Sequence, residues 1–533
     1  MTRLLGSGVL AGALALGLTS TISTATANEV TPTPTPTQTA TTPAPSDSAP
    51  DPQAQAADGP VAAAAAPWDT PGYPIIQETN FAEPRRSVNS EAYSDFSQLD
   101  ELERLICGTF KVPDGSSTPL CSQRSLRPEA QRRATYIQMS VSRMERSKRV
   151  GRKLIEAAKW GVNVRFVHGA DSQSAASRSL ASQLNSATFK GIHTGWFKIC
   201  AKGKSLACIS TAKGGIIHTK SLIIGSSNPA GQTVSYTREG KPAASVVWYG
   251  SANLGGPSGE YTWNNGQTIY NDKLLYIQSA AMFQDLLGER TVSGNNYPGY
   301  IRAASLANTR FGYPGAKVND GYKSDYADYG MFYSNLSNYT VHASPIAATP
   351  LNGKDPIMAA LNRVIPDDKC KIKVLENRWK YRRLAIAEKL VELSNGGCDV
   401  SVVAFQDDLA ENRALHCQIY IRVCRPILDE LRTANVHIIA AWAKPHDKVI
   451  LIEALLKKNP QNPLEVQANG APWPTSGGAR ATMVQAGSAA LTGSNLLASD
   501  EVTTESLDPD VYADYVQHWR NIGRSYEYKI YPY

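Results

Sequence analysis

Apolar side chains recur along this chain in two arrangements, and the same succession of them occurs twice. Residues 135–141 (Thr-Tyr-Ile-Gln-Met-Ser-Val) read as a strand. A basic, helix-like stretch then ends in Ile-Glu-Ala-Ala-Lys-Trp-Gly at 155–161, and Val-Asn-Val-Arg-Phe-Val-His at 162–168 reads as a second strand. Residues 370–375, 384–393 and 398–405 repeat that strand, helix, strand order. Each half is therefore predicted to open with a βαβ-type unit. Two more apolar runs follow in each half: Ser-Leu-Ile-Ile at 221–224 and Val-Val-Trp-Tyr at 246–249, then Val-Ile-Leu-Ile at 449–452 and Met-Val-Gln-Ala at 483–486.

The pattern is different at the start of the chain. Residues 8–18 form a short apolar core after Arg3, and Ala25-Thr26-Ala27 fits a small-residue cleavage site, so residues 1–27 read as a signal peptide. The run is too short to span a membrane. From Val30 to about Ala66 the chain is Thr-Pro repeats, then Ala, Asp and Pro, which cannot bury enough apolar surface to offset ordering entropy. Residues 28–74 are thus expected to be a disordered tether, a spacer across a cell wall. The remaining roughly 460 residues suffice for two cores, here 75–310 and 311–533. The expected location is secreted, extracellular and cell-wall associated.

Eight cysteines in an exported chain read as disulfides before metal ligands. Cys107 with Cys121 and Cys200 with Cys208 are local candidates; Cys370 and Cys398 begin two neighbouring predicted strands, leaving Cys417 with Cys424. No compact Cys-x2-Cys pair supports zinc. A net charge of +7 is mild for this length and does not separate lipid from nucleic acid as the anionic substrate.

Chemistry concentrates at His218-Thr219-Lys220 and His446-Asp447-Lys448, each just before one of the apolar runs. Along an extended strand, residues i and i+2 share a face, so each segment is expected to present an imidazole beside an ammonium. Each pair is followed by a Gly-Ser strand end, Gly250-Ser251-Ala252-Asn253 and Gly487-Ser488-Ala489-Ala490. Order, residue type and duplication resemble the two half-sites of the phospholipase D superfamily, His-x-Lys-x4-Asp followed by Gly-Ser-x-Asn.

The chain departs from that pattern in places. Gly225 and Glu453 stand where the motif has Asp, and Ala490 replaces the second Asn. Phasing the second copy on Thr492-Gly493-Ser494-Asn495 would restore it, but Ser488 keeps the preceding apolar strand. A gapless match of 264–276 to 500–512 pairs Asp272 with Asp508 and Tyr276 with Tyr512. It also sets the downstream acid Glu501, expected to orient an imidazole of the second half, opposite Asn265.

The resemblance implies an α/β fold: two phospholipase D-like α/β sandwich domains, each a mixed sheet flanked by helices, related by a pseudo-twofold axis with the active site at their interface. It further implies metal- and cofactor-free phosphodiester cleavage. His218 is assigned as nucleophile forming a phosphohistidine and His446 as general acid, although Glu501 pulls the other way. Lys220, Lys448, Asn253 and the hydroxyls of Ser251 and Ser488 are expected to meet phosphate oxygens. The remaining histidines, such as His168, His193, His342, His416 and His437, lack a Lys at i+2 and read as structural. A monomeric secreted enzyme acting on phospholipid headgroups, with transient membrane-surface contact, is the leading expectation, and Trp248, Tyr249, Trp263 and Trp442 are either a lipid entrance or ordinary core. Alternatives are a metal-independent nuclease or other phosphodiesterase, and a degenerate, non-catalytic binder of phosphorylated polymers.

Overall fold

The computed structural model describes residues 72–86, 92–144, 148–200, 205–210, 214–227, 232–289, 331–336, 338–344, 355–405, 423–441, 444–462 and 465–524. The expected signal peptide, nearly all of the expected tether, the boundary near residue 310, His416, Cys417 and Trp442 lie outside these residues.

Two mixed sheets carry the chain, and their strands follow one plan. In the first, the order across the sheet is Ile76–Ala82, Thr262–Tyr270, Val246–Gly250, Ser221–Ser226, Thr135–Val141, Asn163–Gly169 and Gly195–Cys200. In the second it is Met331–Tyr333, Tyr339–Ser344, Glu501–Ser506, Ala479–Gly487, Lys448–Leu456, Lys371–Glu376, Asp399–Phe405 and His437–Ala441. Thr135–Val141 runs parallel to Asn163–Gly169 and antiparallel to Ser221–Ser226; Lys371–Glu376 bears the same relations to Asp399–Phe405 and Lys448–Leu456.

Central strands of such sheets are covered on both faces, which is why their sequences are almost continuously apolar. Helices Ser97–Cys107, Arg149–Lys159 and Ala175–Asn185 bury Leu102, Leu154 and Leu180 against one face of the first sheet. Helix Lys273–Gly288, capped by the Asp272 carboxylate at 2.9 Å from the Leu275 N–H, covers the other face. That helix also packs on Met331, Phe332, Val341 and Val502 of the second sheet, so it is buried over nearly all its length. Leu384–Asn395 and Arg425–Leu431 cover one face of the second sheet, and Pro509–Arg524 the other.

Two glycines show why the motifs deviate where they do. A Cβ at Gly225 would lie 2.1 Å from the Tyr276 ring, so the carboxylate expected there has no room. In the second half the matching Tyr512 instead hydrogen-bonds Glu453. Gly487, at the second Gly-Ser strand end, has φ +146° and would place a Cβ 2.4 Å from the Val502 carbonyl oxygen, so only glycine fits.

Disulfides join Cys107 to Cys121, Cys200 to Cys208 and Cys370 to Cys398. Cys424 is disulfide-bonded as well. No helix among the described residues is long and apolar enough to cross a membrane.

Candidate active site

The first His-x-Lys segment precedes its strand, which begins at Ser221, and the second enters its strand only at Lys448. The expected strand pairing is replaced there by backbone bonds to the opposite half. His218 and Thr219 donate their N–H groups to the Asp500 carbonyl at 2.9 and 2.8 Å, and His446 donates to the Trp263 carbonyl at 3.0 Å. Thr262–Trp263 also pairs in parallel with Lys444–Pro445. Each segment is thus held in place by the other half of the chain.

The side chains cross over in the same way. Glu501, fully buried, lies 2.7 Å from Nδ1 of His218, so it orients the imidazole of the first half and not, as its position in sequence suggested, that of the second. Nδ1 of His218 also lies 3.1 Å from the Ser488 carbonyl. Both partners are acceptors, so Nδ1 carries the hydrogen and Nε2 keeps its lone pair. Nδ1 of His446 contacts Oδ1 of Asn264 at 2.9 Å, and that amide is fixed because its Nδ2 donates to the Ser258 and Thr262 carbonyls at 3.1 and 2.9 Å.

Asn264, not Asn265, is therefore the counterpart of Glu501. Ser251 Oγ donates to Asn264 Oδ1 at 3.1 Å and accepts the Asn265 N–H at 3.0 Å; Ser488 Oγ donates to Glu501 at 2.5 Å and accepts the Val502 N–H at 3.0 Å. The spacing from serine to partner is the same in both halves. The gapless match slipped by one because the halves differ in length between these strands and the helices after them. The same bonds correct the role given to Ser251 and Ser488. Both are fully buried with their protons committed to Asn264 and Glu501, so they position those groups instead of meeting phosphate.

A cavity of about 300 Å³ opens between the imidazoles, lined from both halves by His218, Asn253, His446, Ala490 and Asn495 among others. Among the described residues nothing hydrogen-bonds the buried Oδ1 of Asn253. Its counterpart Ala490 offers nothing polar, but Asn495, one helical segment further on, reaches the same cavity and donates to Glu501. Lys220 and Lys448, 1% and 3% exposed, each donate to the carbonyl of their own motif histidine.

Burial dominates the electrostatics. It pushes the His218 imidazolium down to about 4 in spite of Glu501, which works the other way, so the ring is neutral at physiological pH. Burial likewise takes Lys448 down to about 8 and lowers Lys220. Among the described residues no cluster of His, Cys, Asp and Glu has the form of a metal site.

Other histidines lie elsewhere. His168 is buried with Nδ1 3.1 Å from the Val141 carbonyl, His193 contacts the Asn185 carbonyl, His342 lies 3.8 Å from Glu505, and His437 is exposed. Trp248 and Trp263 are fully buried and Tyr249 is 2% exposed; all three pack within the cores. The sequence reading passed over Asn264, His518, Arg143 and Arg378. His518 bridges Glu83 at 2.7 Å and Asp447 at 3.3 Å beneath the second motif. Arg143 and Arg378 line the cavity. Counting thirteen residues on from each motif serine would have found Asn264.

A family model described as "Cardiolipin synthase, PLD-like domain" matches residues 128–286. No curated protein matches the chain. Among solved structures, phosphatidylserine synthase of Haemophilus influenzae is 10% identical, with 86% of this chain and 90% of that one covered and a TM-score of 0.42. Yeast tyrosyl-DNA phosphodiesterase is 10% identical over 81% and 89%, with a TM-score of 0.36. Polyphosphate kinase of Porphyromonas gingivalis is 10% identical over 83% of this chain, which spans 49% of the kinase's length, with a TM-score of 0.42. Residues 128–286 thus carry a phospholipase D-like domain, and its His-x-Lys device recurs in the second half at His446-Asp447-Lys448.

Proposed function

We propose that this protein is an exported phosphodiesterase of phospholipase D type that cleaves phospholipid headgroup diesters, by hydrolysis or by transfer to an alcohol, through a phosphohistidine on His218. The observation that carries the reading is the crossed pairing of Glu501 with His218. A neutral imidazole with its Nδ1 hydrogen held by a carboxylate presents a basic Nε2 to the cavity. Nε2 attacks phosphorus, the bond to the leaving oxygen breaks, and His446 gives that oxygen its proton. His446 then takes a proton from water or an alcohol, whose oxygen attacks phosphorus as the P–N bond breaks. Asn253 and the two lysines stabilise the charge on the non-bridging oxygens.

Every group that sequence requires is organic, so activity should persist in excess chelator. Quenching turnover in alkali and finding an acid-labile phosphoryl or phosphatidyl group on the peptide containing His218 is the direct test. Absence of that adduct, together with complete loss of activity in chelator and recovery on adding a divalent ion, overturns the reading. Export rests on the leader and tether read from residues 1–74. The enzyme acts as a monomer in this reading, since both half-sites come from one chain, and approaches a membrane surface only transiently. A purely binding role is disfavoured by the two motif imidazoles lining one cavity, each with its lysine bonded to its own carbonyl.

A further inference from the structure

Arg143 and Arg378 occupy equivalent places in the two halves. Tyr136 pairs with Gly225 and Lys371 with Glu453, the residues five beyond Lys220 and Lys448, so the strands Thr135–Val141 and Lys371–Glu376 superpose in register. Arg143 and Arg378 then follow at the same distance past each strand. Both are exposed, and both line the cavity that holds His218 and His446. Among the described residues no carboxylate forms an ion pair with Arg378. Partial enclosure of its guanidinium and the neighbouring Arg143 lower its affinity for a proton.

Two guanidiniums therefore line this cavity in addition to the motif histidines. Lys220 and Lys448 are buried against the carbonyls of their own motif histidines and do not line the cavity, and Glu501 is engaged with His218. Two guanidiniums lining one cavity repel each other, an arrangement relieved when an anion comes between or beside them. Guanidinium forks also match the oxygens of a phosphate better than lone ammoniums do.

We propose that Arg143 and Arg378 form a subsite for a second phosphate, so that the preferred substrate is a diester whose headgroup carries a further phosphate beside the scissile one. This rests on the phosphodiesterase reading above and adds the substrate's charge to it. The full-length protein is assayed on two matched pairs. One pair is phosphatidylglycerol and phosphatidylglycerophosphate, each dilute in phosphatidylcholine vesicles. The other is the p-nitrophenyl ester of thymidine 5'-phosphate with and without a 3'-phosphate.

Wild type is expected to favour the doubly phosphorylated member by about tenfold or more in kcat/KM. Arg143→Gln and Arg378→Gln, checked for folding by circular dichroism, should each reduce that ratio, the double variant should bring it near one, and Arg378→Lys should retain part of it. Wild type that cleaves either pair without distinguishing its members overturns this subsite and leaves the phosphodiesterase reading standing. Preference shown on the nucleotide pair alone supports the subsite and overturns the lipid source. If neither pair is cleaved by wild type, both readings fall.

Discussion

The two halves of this chain build the same half-site and then finish it differently. In each, a buried serine at a Gly-Ser strand end fixes a side chain thirteen residues on, and that side chain orients the histidine of the opposite half. From the second half the side chain is a carboxylate, Glu501; from the first it is an amide, Asn264. One substitution on a duplicated frame therefore sets two imidazoles apart chemically. In the proposed mechanism Glu501 would strengthen His218 as a nucleophile, whereas Asn264 would fix the tautomer of His446 without adding charge, which suits a ring that must both give and take a proton.

The largest expected effect separates the histidines. His218→Ala should reduce turnover to background and give no phosphoenzyme. His446→Ala should lose about 10²–10⁴-fold with a poor leaving group. With p-nitrophenol as leaving group it should still form the covalent intermediate and accumulate it. Rapid-quench assays reading the adduct and the released phenol decide this; accumulation in His218→Ala and none in His446→Ala would reverse the roles.

Next comes the partner that distinguishes them. Glu501→Gln makes the half-sites alike and should cost about 10–100-fold in kcat/KM, the worth of a charge-assisted hydrogen bond. The pH profile sharpens the point. His218 must be neutral to attack, so activity should fall as pH drops through about 4; Lys448 must be charged, so it should fall again as pH rises through about 8. Glu501 raises the proton affinity of His218, so in Glu501→Gln the acid limb should move lower still. Asn264→Asp should raise the proton affinity of His446. An acid limb unmoved in Glu501→Gln would show that His218 is not the group titrating there.

A smaller contrast is that between Asn253 and the vacancy opposite it. Removing a donor to developing negative charge typically costs about 10²–10³-fold, so Asn253→Ala should be severe and Ala490→Asn neutral or improving. Asn495 acts through Glu501 and reaches the cavity, so Asn495→Ala should fall between them. A silent Asn253→Ala with a severe Asn495→Ala would assign the phosphate contact to Asn495.

Much of this was legible in sequence because it is local. The duplicated strand, helix, strand units at residues 135–168 and 370–405, the motif pairs and the glycines all announce themselves within short windows. The crossed pairing does not, since nothing near Glu501 in sequence says that the ring it faces is His218 instead of His446. Nor does the register of Asn264. Asn264 lies eight positions before Asp272 but Glu501 only seven before Asp508, so a match anchored on those aspartates slides past the partner by one. Arg143 and Arg378 lie just past strand ends, with no motif around them, and become equivalent only when the strand pairings are compared.

The smallest expected effect concerns the middle residue of each His-x-Lys, where the halves also differ. Thr219 shares a hydroxyl contact of 2.6 Å with Ser140, whereas Asp447, fully buried, accepts from Asn265 at 2.6 Å and faces His518, itself bonded to Glu83. Burial opposes charge on His518, but Asp447 and Glu83 outweigh it and raise the imidazole to about 9. A group whose folded value lies above its unfolded one stabilises fully below the unfolded value, near 6.5, and that stabilisation is lost as pH rises through about 9. The melting temperature should therefore decline from pH 6.5 to 9 by an amount corresponding to at most about 3 kcal/mol. Asp447→Thr combined with His518→Gln makes the second half resemble the first and should flatten that decline, whereas His518→Gln alone leaves a buried carboxylate without its cation and should lower the melting temperature at every pH. Calorimetry across that range checks both, and a decline that persists unchanged in the double variant would move the titration to some other pair.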